Sequence, residues 1–216
     1  MIGDSAVLGI DGCPGGWVGA LVSSAGVSWH AGSLASLLSL EAAVVAIDIP
    51  LAMPVDGSRR ACEVAARSRL GAQRSSVFFA PPLAVLGASS HAEASVLSRA
   101  AGSVGVSIQT WNIVPKIREA LSVADPRLVE VHPELSFRAL GTVSAGKKTP
   151  AGQAERLALL RTWVPLDLPS PRPGGASVDD CLDAAVCAWT AARRLSGTAE
   201  VLGLEELVGR TSCIVV

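Results

Sequence analysis

The sequence predicts an α/β domain with a five-stranded mixed sheet flanked by helices, on three observations. Three short apolar runs near the start, residues 6–11, 16–22 and 26–32, are separated only by turn-forming residues, which reads as an antiparallel meander. Two later apolar runs, 42–50 and 127–133, alternate with helical patterns, as layered α/β proteins require. Half of the 216 residues are hydrophobic and only 17% are charged, enough for one sizeable core and too apolar for disorder. A single domain is expected over residues 1–216.

The first run, "AVLGID", suits a strand buried on both faces and ends in an acid, Asp11. "GWVGALV" and "GVSWHAG" follow as strands joined by "SSAG". A short helix is expected over 33–40. "AAVVAIDIP" is a buried strand stopped by Pro50, and it too ends in an acid, Asp48. The middle is helical: 58–70 capped by Gly71, a helix to about 101 with Ser90 and Glu93 at capping-box spacing, and 112–121 with Pro115 near its start. "RLVEVHP" is a further core strand, and "ELSFRAL" a short helix ended by Gly141. Thr149 and Pro150 open a helix within 147–163, and the turn-rich stretch 165–177 leads to a helix over 178–195.

Several function classes are set aside by composition. No apolar run reaches the ~18 residues of a membrane span, and the start carries no basic leader, so a cytoplasmic protein with no membrane partner is expected. The five cysteines are scattered without a Cys-x-x-Cys pair, which argues against disulfides and zinc. Net charge is −1, so no global field draws the chain to nucleic acid. The charge is uneven, however: residues 58–74 hold five Arg against one Glu, and 138–161 hold Arg138, Lys147, Lys148, Arg156 and Arg161 against Glu155. His30 and His91 have no acid that spacing can place beside them, while His132 sits between Glu130 and Glu134. No Gly-x-Ser-x-Gly elbow occurs.

The acids carry the chemistry. Asp11, Asp48 and Glu130 each lie at or near the end of an apolar run, where a charge is costly unless paired, hydrogen-bonded or metal-bound. In the last helix, Leu182, Ala185, Val186 and Trp189 share one face; Asp179 and Asp183 flank it and Asp180 lies further round. Ser177 and Asp180 have capping-box spacing, and both first-turn acids favour a helix N-terminus without any further role. That account leaves Asp183 unexplained. Clustered carboxylates are hard ligands for Mg²⁺ or Mn²⁺, and two such ions can stabilise both the attacking and the leaving oxygen of a phosphoryl displacement.

Taken together, "GIDGCPGGWVGALV", "AIDIPLAMP", "RRACEVAARSRLG…SVFFAPP", "VEVHPELSF", "KKT…G…R" and "DDCLDAAVCAWTAAR" resemble a bacterial and archaeal family, domain of unknown function 429, described as predicted nucleases with a ribonuclease H-like fold. The resemblance implies a five-stranded mixed sheet with an acid from strand one, one from strand four, and one or two from the C-terminal helix, as in Holliday-junction resolvases. Those positions correspond here to Asp11, Asp48, and Asp180 with Asp183, leaving Asp179 spare and Glu130 as a further candidate ligand. It also implies a helical insertion at about 55–125, between strands four and five. The activity so implied is a Mg²⁺- or Mn²⁺-dependent nuclease. Asp11, Asp48, Asp180 and Asp183 hold the ions, and Lys116, Lys148 or the arginines near residue 60 contact the phosphates of a nucleic acid of unspecified type.

Two other readings stay open. The Asp-x-x-x-Gly turn after Asp11 also resembles the phosphate hairpin of sugar-kinase and actin-like ATPases, and a non-catalytic binding module can keep the same fold. Against a dinucleotide loop, the glycine spacing of "GIDGCPGG" is wrong and a strand-like segment follows it. Gly12, Gly15 and Gly16 read instead as a tight hairpin that calls for positive φ and keeps side chains clear of Asp11.

Overall fold

The structure, a computed structural model, describes residues 5–216. In chain order the elements are β1 (Val7–Cys13), β2 (Gly16–Ser23), β3 (Gly26–Gly32), α1 (Leu34–Leu38), β4 (Val44–Ile47), α2 (Ala61–Leu70), α3 (His91–Ala100) and α4 (Ile108–Ser122). They continue with β5 (Leu128–Glu130), α5 (Pro133–Leu140), α6 (Pro150–Arg161), α7 (Val178–Leu195), β6 (Val201–Leu207) and β7 (Arg210–Val215). The chain divides into two compact units. One comprises the chain up to Asp48 with Asp125–Glu200 and Val215–Val216; the other comprises Ile49–Ala124 with Val201–Ile214.

The first unit is the expected α/β layer. Its sheet has the order β3-β2-β1-β4-β5, with β1, β2 and β3 antiparallel and β4 and β5 parallel to β1. Helix α7 packs across β1, β2 and β4 on one face. Gly9 is what lets it come close: a Cβ there would lie 2.1 Å from both Ala184 O and Ala188 N. On the other face, where Leu8, Ile10 and Gly19 point, Leu37 of α1 reaches to 3.4 Å from the place of a Gly19 Cβ. Helix α5 is tied to α7 through buried hydroxyls, Thr190 Oγ1 donating to Ser136 Oγ at 2.8 Å. Because α7 is covered by both the sheet and helices α5 and α6, almost every residue from Cys181 to Ala191 is buried, a wider apolar surface than one stripe. Trp189, expected on the core face, is half-buried, with the Arg193 guanidinium 4.9 Å over its ring.

The hairpin after Asp11 forms as expected: β1 runs into β2 with Cys13 opposite Gly16, and no helix follows it. Of its three glycines, only Gly16 has positive φ, at 116°. Gly15 has a different reason to lack a side chain, since a Cβ there would stand 2.4 Å from Gly174 O, the acceptor of its own N–H at 3.0 Å.

In the second unit, a small core of Val85, Ala88, Ala94, Val106 and Val114 joins α3, α4 and the intervening turns. Two helix starts differ from expectation. Helix α2 begins at Ala61 rather than residue 58, because Arg60 is extended and turns its guanidinium inward to Glu63, while Glu205 Oε1 caps Ala61 N at 2.7 Å. Helix α4 begins at Ile108, where Ser107 accepts a hydrogen bond from Thr110 N, so Pro115 lies well inside the helix. The β6–β7 hairpin was not anticipated; its two-residue turn places Val208 at φ 51° and Gly209 at φ 71°, the signs a type I′ turn demands. Strand β5 is shorter than the run 127–133 because Pro133 already opens α5. All five cysteines are free thiols, and among the described residues no helix is long and apolar enough to cross a membrane.

Candidate active site

The candidate site lies at the carboxyl ends of β1 and β4, the edge where parallel strands of an α/β sheet commonly present their ligands. The two strands are parallel and in register, Gly9 beside Ala46 and Ile10 beside Ile47. The next residues are Asp11 and Asp48, and Asp48 N still donates to Ile10 O at 3.2 Å. Side chains alternate along a strand and align across a pair, so Asp11 and Asp48 emerge side by side on the face that carries Gly9. That is the face α7 crosses. The Gly9–Ala184 contact therefore brings Asp183, the preceding residue, to the same corner.

Asp183 is only 4% exposed, whereas Asp11 and Asp48 keep part of their surface accessible. Helical spacing puts Asp179 one turn before Asp183 on the same side of α7. Lys147, from the loop before α6, reaches both: its Nζ lies 3.0 Å from Asp183 Oδ2 and 3.3 Å from Asp179 Oδ2. The Oδ1 atoms of Asp179 and Asp183 are buried without a hydrogen-bond partner. Nearby, Glu134 in the first turn of α5 forms a two-pronged pair with the buried Arg156, at 3.1 and 3.0 Å.

The electrostatics follow from this crowding. Burial, then the charges of Asp183 and Asp48, hold the Asp11 carboxyl well above the usual carboxylate range. Burial and Asp183 push Asp48 up to about 8, against the opposing pull of Lys147. Burial pushes Asp183 up to about 7, with Lys147 opposing and Asp179 adding to the rise. Burial works against the Lys147 charge, but Asp183 and Asp179 outweigh it and raise its pKa. The corner thus gathers more carboxylates than its one ammonium can pair, and their mutual repulsion adds to the effect of burial in raising them.

The remaining candidates fall in different places. Asp180 closes the capping box at the start of α7: its Oδ2 accepts from Ser177 N at 2.8 Å, and Ser177 Oγ accepts from Asp180 N at 3.1 Å. Its charge still contributes to raising Asp11. Glu130 is buried and its strand adjoins β4; it pairs in register with Ile47, on the alternate face from Asp48, yet its charge still contributes to raising Asp48. Lys148 is exposed on the loop before α6. Lys116 belongs to α4 of the second unit. Sequence reasoning passed over Lys147, treated Asp179 as spare, and gave Glu134 no role; Lys147 and Asp183 are 36 residues apart, and no spacing rule joins them.

These residues suit a hard divalent cation. They offer carboxylate oxygens only, two of them buried and unpartnered, in a region of surplus negative charge. Among the described residues no group of three or more acids already stands arranged to hold a metal ion.

Fold and site together define an α/β protein with a carboxylate cluster where two parallel strands meet the C-terminal helix. The model of the family described as protein of unknown function (DUF429) matches residues 9–206, and the chain belongs to that family. Neither the curated proteins nor the solved structures contain a match to this chain.

Proposed function

We propose that this protein is a divalent-metal-dependent nuclease of ribonuclease H-like architecture, its helical segment 55–125 being an insertion between strands four and five. The observation that carries the proposal is the meeting of Asp11, Asp48 and Asp183, delivered by β1, β4 and α7 to one corner with more negative charge than the protein neutralises. A sheet of order 3-2-1-4-5 with an antiparallel first half supports the architecture. Asp11, Asp48 and Asp183 would hold Mg²⁺ or Mn²⁺, with Asp180 contributing if its carboxylate leaves the cap. A bound ion supplies positive charge that stabilises the transition state of phosphoryl transfer. The chain's own contribution is to hold the acids at one sheet corner, to keep Lys147 as a positive charge beside them, and to offer the exposed Lys148 to phosphate oxygens; Arg60, buried on Glu63, is not available for that role.

The phosphate-hairpin reading has less support, because the Gly15 N–H that such a hairpin would offer is already donated to Gly174 O. The test is cleavage of single-stranded, duplex, hybrid and branched nucleic acids with Mn²⁺. Wild type is expected to cleave at least one of these, and Asp11→Asn to lose activity by about 100-fold or more. Equal cleavage by the two proteins refutes the assignment.

A further inference from the structure

We infer that Lys147 is a tethered cation that occupies the place between Asp179 and Asp183, so that the acid corner accepts one divalent ion fewer than its carboxylates would otherwise hold. The inference deepens the metal-dependent reading above and rests on it for the identity of the other cation. Its own basis is geometric. One ammonium lies 3.0 and 3.3 Å from two carboxylates that share a helix face, which is where a cation bridging them would stand.

The lysine is held there by its loop. Ser144 N and Ala145 N donate to the Glu155 carboxylate at 2.8 and 3.0 Å, and Thr149 N and Oγ1 donate to Gly146 O at 2.9 and 2.8 Å. Arg156 Nη1 donates to Ala145 O at 3.3 Å while its Nη2 is clamped on Glu134. Gly152 admits this loop against α6, since a Cβ there would lie 2.2 Å from Gly146 O. An exposed lysine pairing with whatever acid is at hand needs no such anchoring.

A single ammonium satisfies one oxygen of each acid and leaves both Oδ1 atoms buried and unpartnered. It supplies one positive charge where a divalent ion would bring two. A second ion could enter only by displacing the ammonium or by sitting against it, and like charges at contact distance repel strongly in a half-buried site. Asp11 and Asp48, which Lys147 does not touch, remain for the other ion together with the unpartnered Oδ1 of Asp183.

The test counts bound ions. Mn²⁺ is titrated into the whole protein by calorimetry, with electron paramagnetic resonance reporting free Mn²⁺. Lys147→Met is expected to bind one more Mn²⁺ than wild type, Lys147→Arg the same number as wild type, and Lys147→Met with Asp179→Asn to lose the added ion. If Lys147→Met is unfolded without metal, recovery of its melting transition on Mn²⁺ addition is the readout; recovery supports the inference. An unchanged ion count, or no recovery at any Mn²⁺ concentration, overturns it. The difference between variants tests Lys147 whatever the wild-type count. The nuclease reading fails separately, if wild type binds no Mn²⁺ and cleaves no nucleic acid.

Discussion

Glu63 and Asp183 are both buried carboxylates with a cation beside them, and they are built in opposite ways. Glu63 is 1% exposed and has Arg60, itself 2% exposed, for a partner; its Oε1 accepts from Arg60 Nε and from Ala80 N, each at 2.8 Å. The acid faces a base, and the same oxygen fixes the backbone at Ala80. Asp183 shares its single lysine with Asp179 and stands among further carboxylates. Matched charge inside a protein holds structure in place. Surplus charge of one sign costs stability, and is retained where a ligand or a reaction uses it.

The comparison breaks first at Glu63. Glu63→Gln removes the carboxylate charge 2.8 Å from the buried Arg60 guanidinium, and is expected to lower stability by about 3–5 kcal/mol in denaturant titration. Asp48→Asn should do the reverse. It removes one of several crowded like charges, so the metal-free protein gains about 1–3 kcal/mol near pH 8 while Mn²⁺ affinity falls. A loss of stability in Asp48→Asn would place Asp48 among the structural pairs.

The pH profile sharpens the same contrast. Asp48 and Asp183 are raised to about 8 and about 7, so between pH 4 and pH 8 the folded protein holds protons that the unfolded chain releases. These two groups therefore make the metal-free protein less stable as pH rises from about 4 to 8. Melting temperatures across that range should show the fall, and saturating Mn²⁺ should remove most of it. The smallest effect is expected at the helix start: Ser177→Ala should cost about 1 kcal/mol, the value of an N-cap, with little change in Mn²⁺ affinity.

The sequence made the sheet legible because its strands are short, apolar and bounded by turn residues, and because Asp11 and Asp48 interrupt those runs where a charge needs a reason. Helix α7 was legible to the residue, since Ser177, the first-turn acids and the apolar spacing agree. The β6–β7 hairpin was not, because Leu204 and Val208 stay exposed at 69% and 61% and Glu205 and Glu206 interrupt the alternation. The start of α4 was marked by Ser107 three residues before Thr110, a signal that Pro115 overshadowed. At the site, the acids could be found one by one, as charges misplaced in apolar runs. Lys147 could not, because its neighbours are set by the fold of a loop, and the two adjacent lysines of "KKT" look alike until the fold turns one of them to the acids.

Gly9 has a reach beyond its own position. By leaving out one methyl group it sets the gauge between sheet and helix, and the span from the β1 acid to the α7 acid is cut to that gauge. Tuning of the chemistry is thus open to a residue that has no functional group at all. An alanine there would act as a shim, widening the gap between Asp11 and Asp183 while leaving every carboxylate intact.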